Sequence, residues 1–357
     1  MLYILKEMVS GLYIDIEISE ALSLSSNLLV DVRSEGEYLT DTIPGAVNIP
    51  VLHDDERAAV GLTYRRDGAD AALKLGYSLV EPKLTAKLSA VKNLAAGQTL
   101  TVFCWRGGQR SGAMADFFAQ AGYQVFRIIG GYKAYRRYVL EYLDNPKKLL
   151  RCIVLHGLTG VGKTDVLTKL SEKGIPVLDL EKLALHRGSV FGKIGLPPSP
   201  SQKALESQIV QVLEKSASQG YFLVECESRK VGNLLVPPLV MDYIRQGVKV
   251  LLYCNMSQRI KRIKDVYAGS HDDNIAALQK ATASLLRKLG RARVEELNNR
   301  LAEKEYDQVI AFMLEHHYDP LYNYPDCPAM GYDLCIDTGE LDQAVELIYD
   351  FVSEMKN

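Results

Sequence analysis

Gly157-Leu158-Thr159-Gly160-Val161-Gly162-Lys163-Thr164 follows an apolar run, Cys152 to Leu155, and opens a helical stretch, Asp165 to Lys173. The spacing GxxxxGK[ST] between a strand and a helix marks a loop whose backbone N–H groups cradle a diphosphate. Lys163 neutralises that charge and Thr164 helps to hold a magnesium ion. Such a match arises by chance in about one chain in a hundred of this length, so phosphate binding anchors the reading of the second half. Val177 to Leu180, Tyr221 to Val224 and Val248 to Tyr253 read as further strands. Strands alternating with helices imply a parallel sheet. Asp179 and Glu225, at the ends of two of these strands, read either as acidic partners of the metal or as a helix cap and a salt-bridge member. From about Gln258 to Met313 the pattern is long and helical, with charges on one face.

Working towards the N-terminus, the polar breaker Asp144-Asn145-Pro146-Lys147-Lys148 is the best boundary, giving domains of residues 1–145 and 146–357. A chain of 357 residues exceeds one usual core, and 47% hydrophobic residues can fill two. The first domain alternates as well: Asn27 to Val32 is a buried strand, Lys83 to Leu94 a helix, and Leu100 to Cys104 a second strand. Val125 to Ile129 is a third strand, and Tyr132 to Leu143 a helix after Gly130-Gly131.

The second of those strands delivers Cys104-Trp105-Arg106-Gly107-Gly108-Gln109-Arg110-Ser111. A loop of this kind curls its N–H groups around the sulfur. The following helix N-terminus, with Arg106 or Arg110, favours the thiolate. The five-residue spacing from Cys104 to Arg110 also fits a cysteine phosphatase, so the loop alone leaves sulfur transfer and dephosphorylation both open. The other five cysteines, at 152, 226, 254, 327 and 335, form no CxxC pair and no zinc framework, and read as reduced thiols.

A net charge of -2 excludes a global basic field, so any nucleic acid must be held by local patches. Lys6, Glu7, Asp15 and Glu17 interrupt the N-terminus, and no run of about 20 apolar residues follows, so a cytoplasmic, non-membrane protein is expected.

Leu29-Val30-Asp31-Val32-Arg33, Glu37-Tyr38 and Ile43-Pro44-Gly45-Ala46-Val47-Asn48 resemble the opening of rhodanese domains, with Asp41-Thr42 where Gly-His often stands. One phosphatase family shares that fold. With a phosphate-loop domain in the same chain, the whole resembles the tRNA 2-selenouridine synthase family. Supporting stretches are Asp54 to Gly61 with Tyr64, Gly68 to Ala72, Cys104 to Ser111, and Gly130-Gly131-Tyr132-Lys133. In the second half they are Asp179-Leu180-Glu181, His186-Arg187-Gly188-Ser189, Phe191-Gly192, Glu225, Glu227-Ser228-Arg229, Gly232 and Tyr318 to Tyr322.

The resemblance implies an α/β protein: a rhodanese-like parallel-sheet domain and a P-loop NTPase-like α/β domain with added helices. It implies an enzyme that replaces the sulfur of 2-thiouridine at the tRNA wobble position with selenium from selenophosphate. The route passes through an S-geranyl intermediate made from geranyl diphosphate, and a selenophosphate-supplying enzyme is a candidate partner. On this reading Gly157, Gly160, Gly162, Lys163 and Thr164 bind the diphosphate, Cys104 with Arg106 and Arg110 serves the selenium step, and Asp179, His186, Arg187, Ser189, Glu225, Ser228 and Arg229 complete the second site. Magnesium at Thr164 is the candidate ion.

The competing reading is a sulfurtransferase or phosphatase fused to an ATP-dependent small-molecule kinase. A non-enzymatic binding module is disfavoured by Cys104. The basic groups Arg259-Lys261-Arg262-Lys264 and Arg287-Lys288-Arg291-Arg293 either track a tRNA backbone or form solvated helix faces. Tyr318, Tyr322 and Tyr324 are expected in the core, with stacking on a base as the alternative, and Trp105 is a candidate wall for a geranyl chain or a base.

Overall fold

The computed structural model describes residues 12–146, 148–268 and 274–355; Lys6, Glu7, Lys147 and part of the helical stretch after Gln258 lie outside them. The chain divides into two compact units, Met1–Asn145 and Pro146–Asn357. Each is an α/β unit built on a parallel five-stranded sheet.

In the first unit the strands are β1 (Ile14–Ile16), β2 (Asn27–Asp31), β3 (Val47–Asn48), β4 (Thr99–Phe103) and β5 (Val125–Ile128), in the order β1-β5-β4-β2-β3. Central strands of a parallel sheet are covered on both faces and so read as continuous apolar runs. Leu100, Val102 and Phe103 of β4 and Val30 of β2 are fully buried accordingly. Each such Val, Leu or Phe stabilises the fold by about 1.5 to 3 kcal/mol. In the segment between β3 and β4, helices α1 (Asp54–Asp67) and α2 (Ala69–Val80) meet at Gly68 with φ of 88°, and a further helix, Leu84–Ala95, lies where the sequence predicts one. Helix α3 (Gln109–Gln120) starts just after the cysteine loop.

A buried guanidinium organises the end of β2. Arg33, 1% exposed, donates to both Asp31 carboxylate oxygens and to the Asp41 carbonyl at 2.7 Å. Its guanidinium carbon lies 4.0 Å from the centre of the Tyr132 ring. The Tyr132 hydroxyl donates to the Asp41 carboxylate, and Thr42 donates to Asp31 at 2.8 Å. Asp41-Thr42, the departure from the usual rhodanese pair, therefore serves this buried network.

The second unit orders its main sheet β12-β11-β6-β8-β7: β6 is Arg151–His156, β7 Val177–Leu178, β8 Tyr221–Glu225, β11 Val248–Tyr253 and β12 Leu334–Asp337. Between β8 and β11 lies a short antiparallel ribbon, β9 (Lys230–Val231) with β10 (Leu234–Leu235). Strand β7 is shorter than the sequence pattern suggests, because Asp179 caps a helix: its carboxylate accepts from the Lys182 N–H at 2.8 Å, and Leu180 opens the helical turn. Helix α4 (Lys163–Glu172) follows the glycine loop, and α5 (Leu180–Ala184) follows β7.

The long helical pattern resolves into a separate cluster, chiefly α6 (Met256–Ala268), α7 (Asn274–Ala283), α8 (Arg291–Ala302) and α9 (Tyr306–Met313). These bury Leu278, Leu297, Leu301, Val309 and Met313 against one another. Helix α9 runs on through a π-helical turn, Leu314–Tyr318. Such turns are rare and cluster at functional sites. Among the described residues no helix is long and apolar enough to cross a membrane.

The Arg33 network yields a stability prediction. Arg33→Ala leaves Asp31 buried and uncompensated, which costs about 3 to 5 kcal/mol. Trp105, the single tryptophan, stands 5.2 Å from Tyr132 and so reports this unit. Its fluorescence in a denaturant melt is expected to show that loss, whereas Arg127→Ala, which breaks a more exposed pair with Asp15, costs about 1 kcal/mol or less. Equal, small losses would mean that the buried pair does not hold the unit.

Candidate functional site

Both chemistry-bearing loops leave the C-terminal ends of central strands, the edge at which open parallel sheets place ligands. Cys104 follows β4, is 3% exposed, and its sulfur lies 3.2 Å from the Ser111 hydroxyl. The Ser111 hydroxyl also reaches the Gly108 carbonyl at 3.2 Å, so its single proton serves either acceptor. Burial by itself pushes the thiol up. The Ser111 hydroxyl and N–H, the charge of Arg110 and the Arg106 N–H outweigh it and hold the thiol below its usual value. Arg110 is in turn fixed by Glu37 at 2.9 Å.

The loop has no room to relax. A side chain on Gly131, at φ 57°, would meet the Cys104 carbonyl at 2.2 Å, and that carbonyl accepts from Tyr132 N–H at 2.8 Å. Trp105 is 37% exposed beside the cysteine.

In the second unit the glycine loop curls at the end of β6. Gly157 has φ of 143°, and a Cβ there would meet the Leu252 carbonyl at 2.3 Å, so only glycine fits. The Lys163 ammonium donates to the carbonyls of Gly157 at 2.7 Å and Leu158 at 3.2 Å. Arg259, 3% exposed, donates to the Thr159 carbonyl at 2.8 Å and pairs with Asp319 at 2.9 Å. Arg262 donates to the Val161 carbonyl at 3.1 Å and to the Thr338 carbonyl. Helix α6 is thereby tied to the loop.

A cavity of about 310 Å³ opens beside Lys163. Its polar end holds the glycine loop, Thr164, Glu181, Arg187, Glu225 and Glu227. Burial and the charge of Glu227 push Glu181 up to about 8, and Glu225 lies well above its usual value through burial and the charges of Glu181, Asp179 and Glu227. Crowding and burial thus disfavour the charged form of these carboxyls, which weakens their opposition to Lys163 and Arg187. The remaining wall is mostly apolar and aromatic, from α6, α7, α8, α9 and the π turn, with Ile263, Leu278, Leu301, Val309, Met313 and Tyr318; the charged exceptions on α6 are Arg262 and Lys264. Beneath the loop, His156 has no hydrogen-bond partner on either ring nitrogen among the described residues, and burial, with Lys249 and Lys163, pushes it down to about 4. It is a neutral ring between Tyr324 and Tyr332.

The structure brings together Gly157, Gly160, Gly162, Lys163, Thr164, Arg187, Ser189 and Glu225 around this cavity. Asp179 is occupied as a helix cap. His186 sits between Gly192 and Gly232, where a Cβ on either would meet its ring at under 3 Å. Ser228 and Arg229 are exposed beside the ribbon, with the Ser228 hydroxyl donating to the Lys230 carbonyl at 2.8 Å. Arg259 and Arg262 do not form a backbone-tracking face, since they are spent on the loop. Arg291 and Arg293 pair with Glu295 and Glu296.

Sequence reasoning left out Glu181, Glu227, Tyr267 and the apolar wall as site residues. The two glutamates stand next to predicted site positions, but nothing in spacing marks which Leu or Met of a core lines a void. Of the tyrosines expected in the core, only Tyr318 is buried, at 7% exposed; Tyr322 is 41% exposed and Tyr324 half-buried, and all three line the cavity.

Two parallel-sheet units, one presenting an activated thiol and the other a phosphate loop with an apolar cavity, define a rhodanese-like module joined to a P-loop module. Family models agree: the rhodanese-like domain matches residues 17–138, and the tRNA 2-selenouridine synthase AAA domain matches residues 150–327. Proteins described as tRNA 2-selenouridine synthases are similar over most of their length. That of Sulfurovum sp. (strain NBC37-1) is 30% identical over 332 residues, 85% of this chain and 90% of the relative. That of Shewanella denitrificans is 31% identical over 336 residues, 85% and 89% of the two chains. The chain belongs to the tRNA 2-selenouridine synthase family.

The thiol environment predicts a pH profile. Alkylation of Cys104 by iodoacetamide, followed by peptide mass spectrometry, is expected to level off at a lower pH than for an ordinary thiol. A hydrogen bond to a charged group contributes roughly 1.5 to 3 kcal/mol, so Ser111→Ala should move the profile upward and slow alkylation at neutral pH about tenfold. An unchanged profile would show that Ser111 does not stabilise the thiolate.

Proposed function

We propose that this chain replaces the sulfur of 2-thiouridine in tRNA with selenium, by way of an S-geranyl intermediate. The observation that carries the reading is the two-ended cavity: a diphosphate-sized cationic loop at one end, continuous with an apolar wall at the other. Geranyl diphosphate has that shape and polarity, whereas an ATP-dependent kinase has no use for so extended an apolar wall beyond its phosphates.

On this reading the glycine loop and Lys163 hold the diphosphate and stabilise it as it leaves. The thiocarbonyl sulfur attacks the first carbon of the chain, the carbon–oxygen bond to diphosphate breaks, and N3 of the base gives up its proton. Sulfur so alkylated departs as geranyl thiol, taking up a proton, when the selenium of selenophosphate attacks the ring carbon; water then breaks the selenium–phosphorus bond, phosphate leaves, and 2-selenouridine remains. Cys104 serves this selenium step, with selenophosphate as donor and Arg106 and Arg110 steadying its phosphate or the thiolate. Thr164 would give its hydroxyl to a magnesium ion arriving with the diphosphate. Among the described residues no group of three His, Cys, Asp or Glu is placed to hold a metal alone, so such an ion would depend on diphosphate and water oxygens.

The test is to incubate the protein with 2-thiouridine-containing tRNA, geranyl diphosphate and selenophosphate, omitting each donor in turn, and to analyse the nucleosides by mass spectrometry. Lys163→Ala should lower prenylation by about a hundredfold or more. Cys104→Ala should stop at the thio or geranylated form. ATP consumption with unchanged tRNA would transfer the assignment to the sulfurtransferase–kinase alternative.

A further inference from the structure

Leu278, Leu301 and Val309 line the cavity and take no part in holding its charged end, and we propose that they set the length of the prenyl chain accepted. This rests on the reading of the cavity as a prenyl diphosphate site.

The order of residues along the cavity follows from two helices. Helix α6 is pinned to the glycine loop at its start: Arg259 binds the Thr159 carbonyl, and a Cβ on Gly160 would meet the Ile263 side chain at 2.9 Å. Asp319, paired with Arg259, pins the helix containing α9 at its opposite, C-terminal end. Reading backwards from Asp319, the residues that line the cavity are Tyr318, Leu314, Met313, Ile310, Val309 and Tyr306. At 1.5 Å of rise per residue, Val309 lies about 15 Å from Asp319 along the helix. Leu301 of α8 and Leu278 of α7 pack around that distal end in the same buried cluster.

Most polar groups gather near the loop, the exceptions further along being Tyr306 and Lys264, which pairs with Asp307 at 2.8 Å. Tyr267 faces the Arg187 guanidinium at 5.5 Å, and Tyr322 is pushed up to about 12 by burial and the charges of Glu227 and Glu181. Both therefore belong to the charged end. Leu278, Leu301 and Val309 are 6%, 3% and 5% exposed, with no polar atom to satisfy. A chain one isoprene unit longer would run into this floor, and close-packed side chains do not yield without cost. A shorter chain would leave part of the cavity empty and forfeit contacts. A hydrophobic pocket discriminates roughly 10- to 200-fold per methylene, so a whole isoprene unit is well resolved.

The experiment is a competition on the full-length protein with thiolated tRNA and equimolar dimethylallyl, geranyl and farnesyl diphosphates, reading the attached chain by nucleoside mass spectrometry. Thermal-shift binding of each diphosphate without tRNA runs alongside. Wild type should favour geranyl over farnesyl by at least about tenfold. Leu278→Ala and Leu301→Ala should each erode that preference about tenfold. Leu301→Phe and Val309→Phe fill the floor and should pass the preference to dimethylallyl. If an alanine variant does not fold, the phenylalanine variants decide. An unchanged geranyl-to-farnesyl ratio in every folded variant, with Lys163→Ala losing all three donors, overturns the floor while leaving the prenyl site intact. If no prenyl diphosphate shifts wild-type melting or reaches the tRNA, the prenyl reading and the floor fail together.

Discussion

The ion pair between Arg259 and Asp319 is the contact on which the second unit's site depends. A guanidinium this deeply buried must spend its donors, and it spends them on the glycine loop and on the residue that ends the π turn. One side chain therefore fixes the distance between a phosphate cradle built on a sheet and an apolar wall built on helices. Without that tie the helical cluster would still bury Leu297 and Leu301, but the void it leaves would have no defined relation to Lys163. Removing one partner of such a pair is costly because the other stays buried and charged.

The first unit uses the same device to a different end. Arg33 joins Asp31, the Asp41 carbonyl and the face of Tyr132. Tyr132 in turn donates its N–H to the Cys104 carbonyl, so a buried cation at the end of the neighbouring strand helps to shape the loop that activates the sulfur. Glu37 plays the matching part for Arg110, holding it where its charge still reaches the sulfur. In both units the reactive group sits on a loop, while rigidity comes from a buried arginine whose donors go to protein groups.

The sequence made the sheets and the two loops legible because their signals are local. Cys152 to Leu155 is an unbroken apolar run and Leu100 to Phe103 is interrupted only by Thr101, and each leads into a glycine-containing loop. Three of the four edge strands were not legible: β1 and β12 are three and four residues long, and β3 is only two, whereas β7, the other edge strand, showed within the apolar Val177 to Leu180. Asp179 illustrates a different limit, since an acidic residue at a strand end reads identically as a metal partner and as a cap; only the Lys182 N–H at 2.8 Å decides. Arg259 and Arg262 misled for the opposite reason. Four cations in six residues look like a surface, and burial of two of them depends on a partner sixty or more positions away.

Lys163 binds the carbonyls of its own loop, and this has a consequence for turnover. An ammonium already satisfied by Gly157 and Leu158 gives an incoming diphosphate only the difference between two sets of bonds, so the loop keeps its shape between rounds at some expense in affinity. On the proposed reading of this loop as a prenyl diphosphate site, the same carbonyls would reclaim the amine once the chain has been handed on, and so would act as a built-in competitor that eases release of the anion.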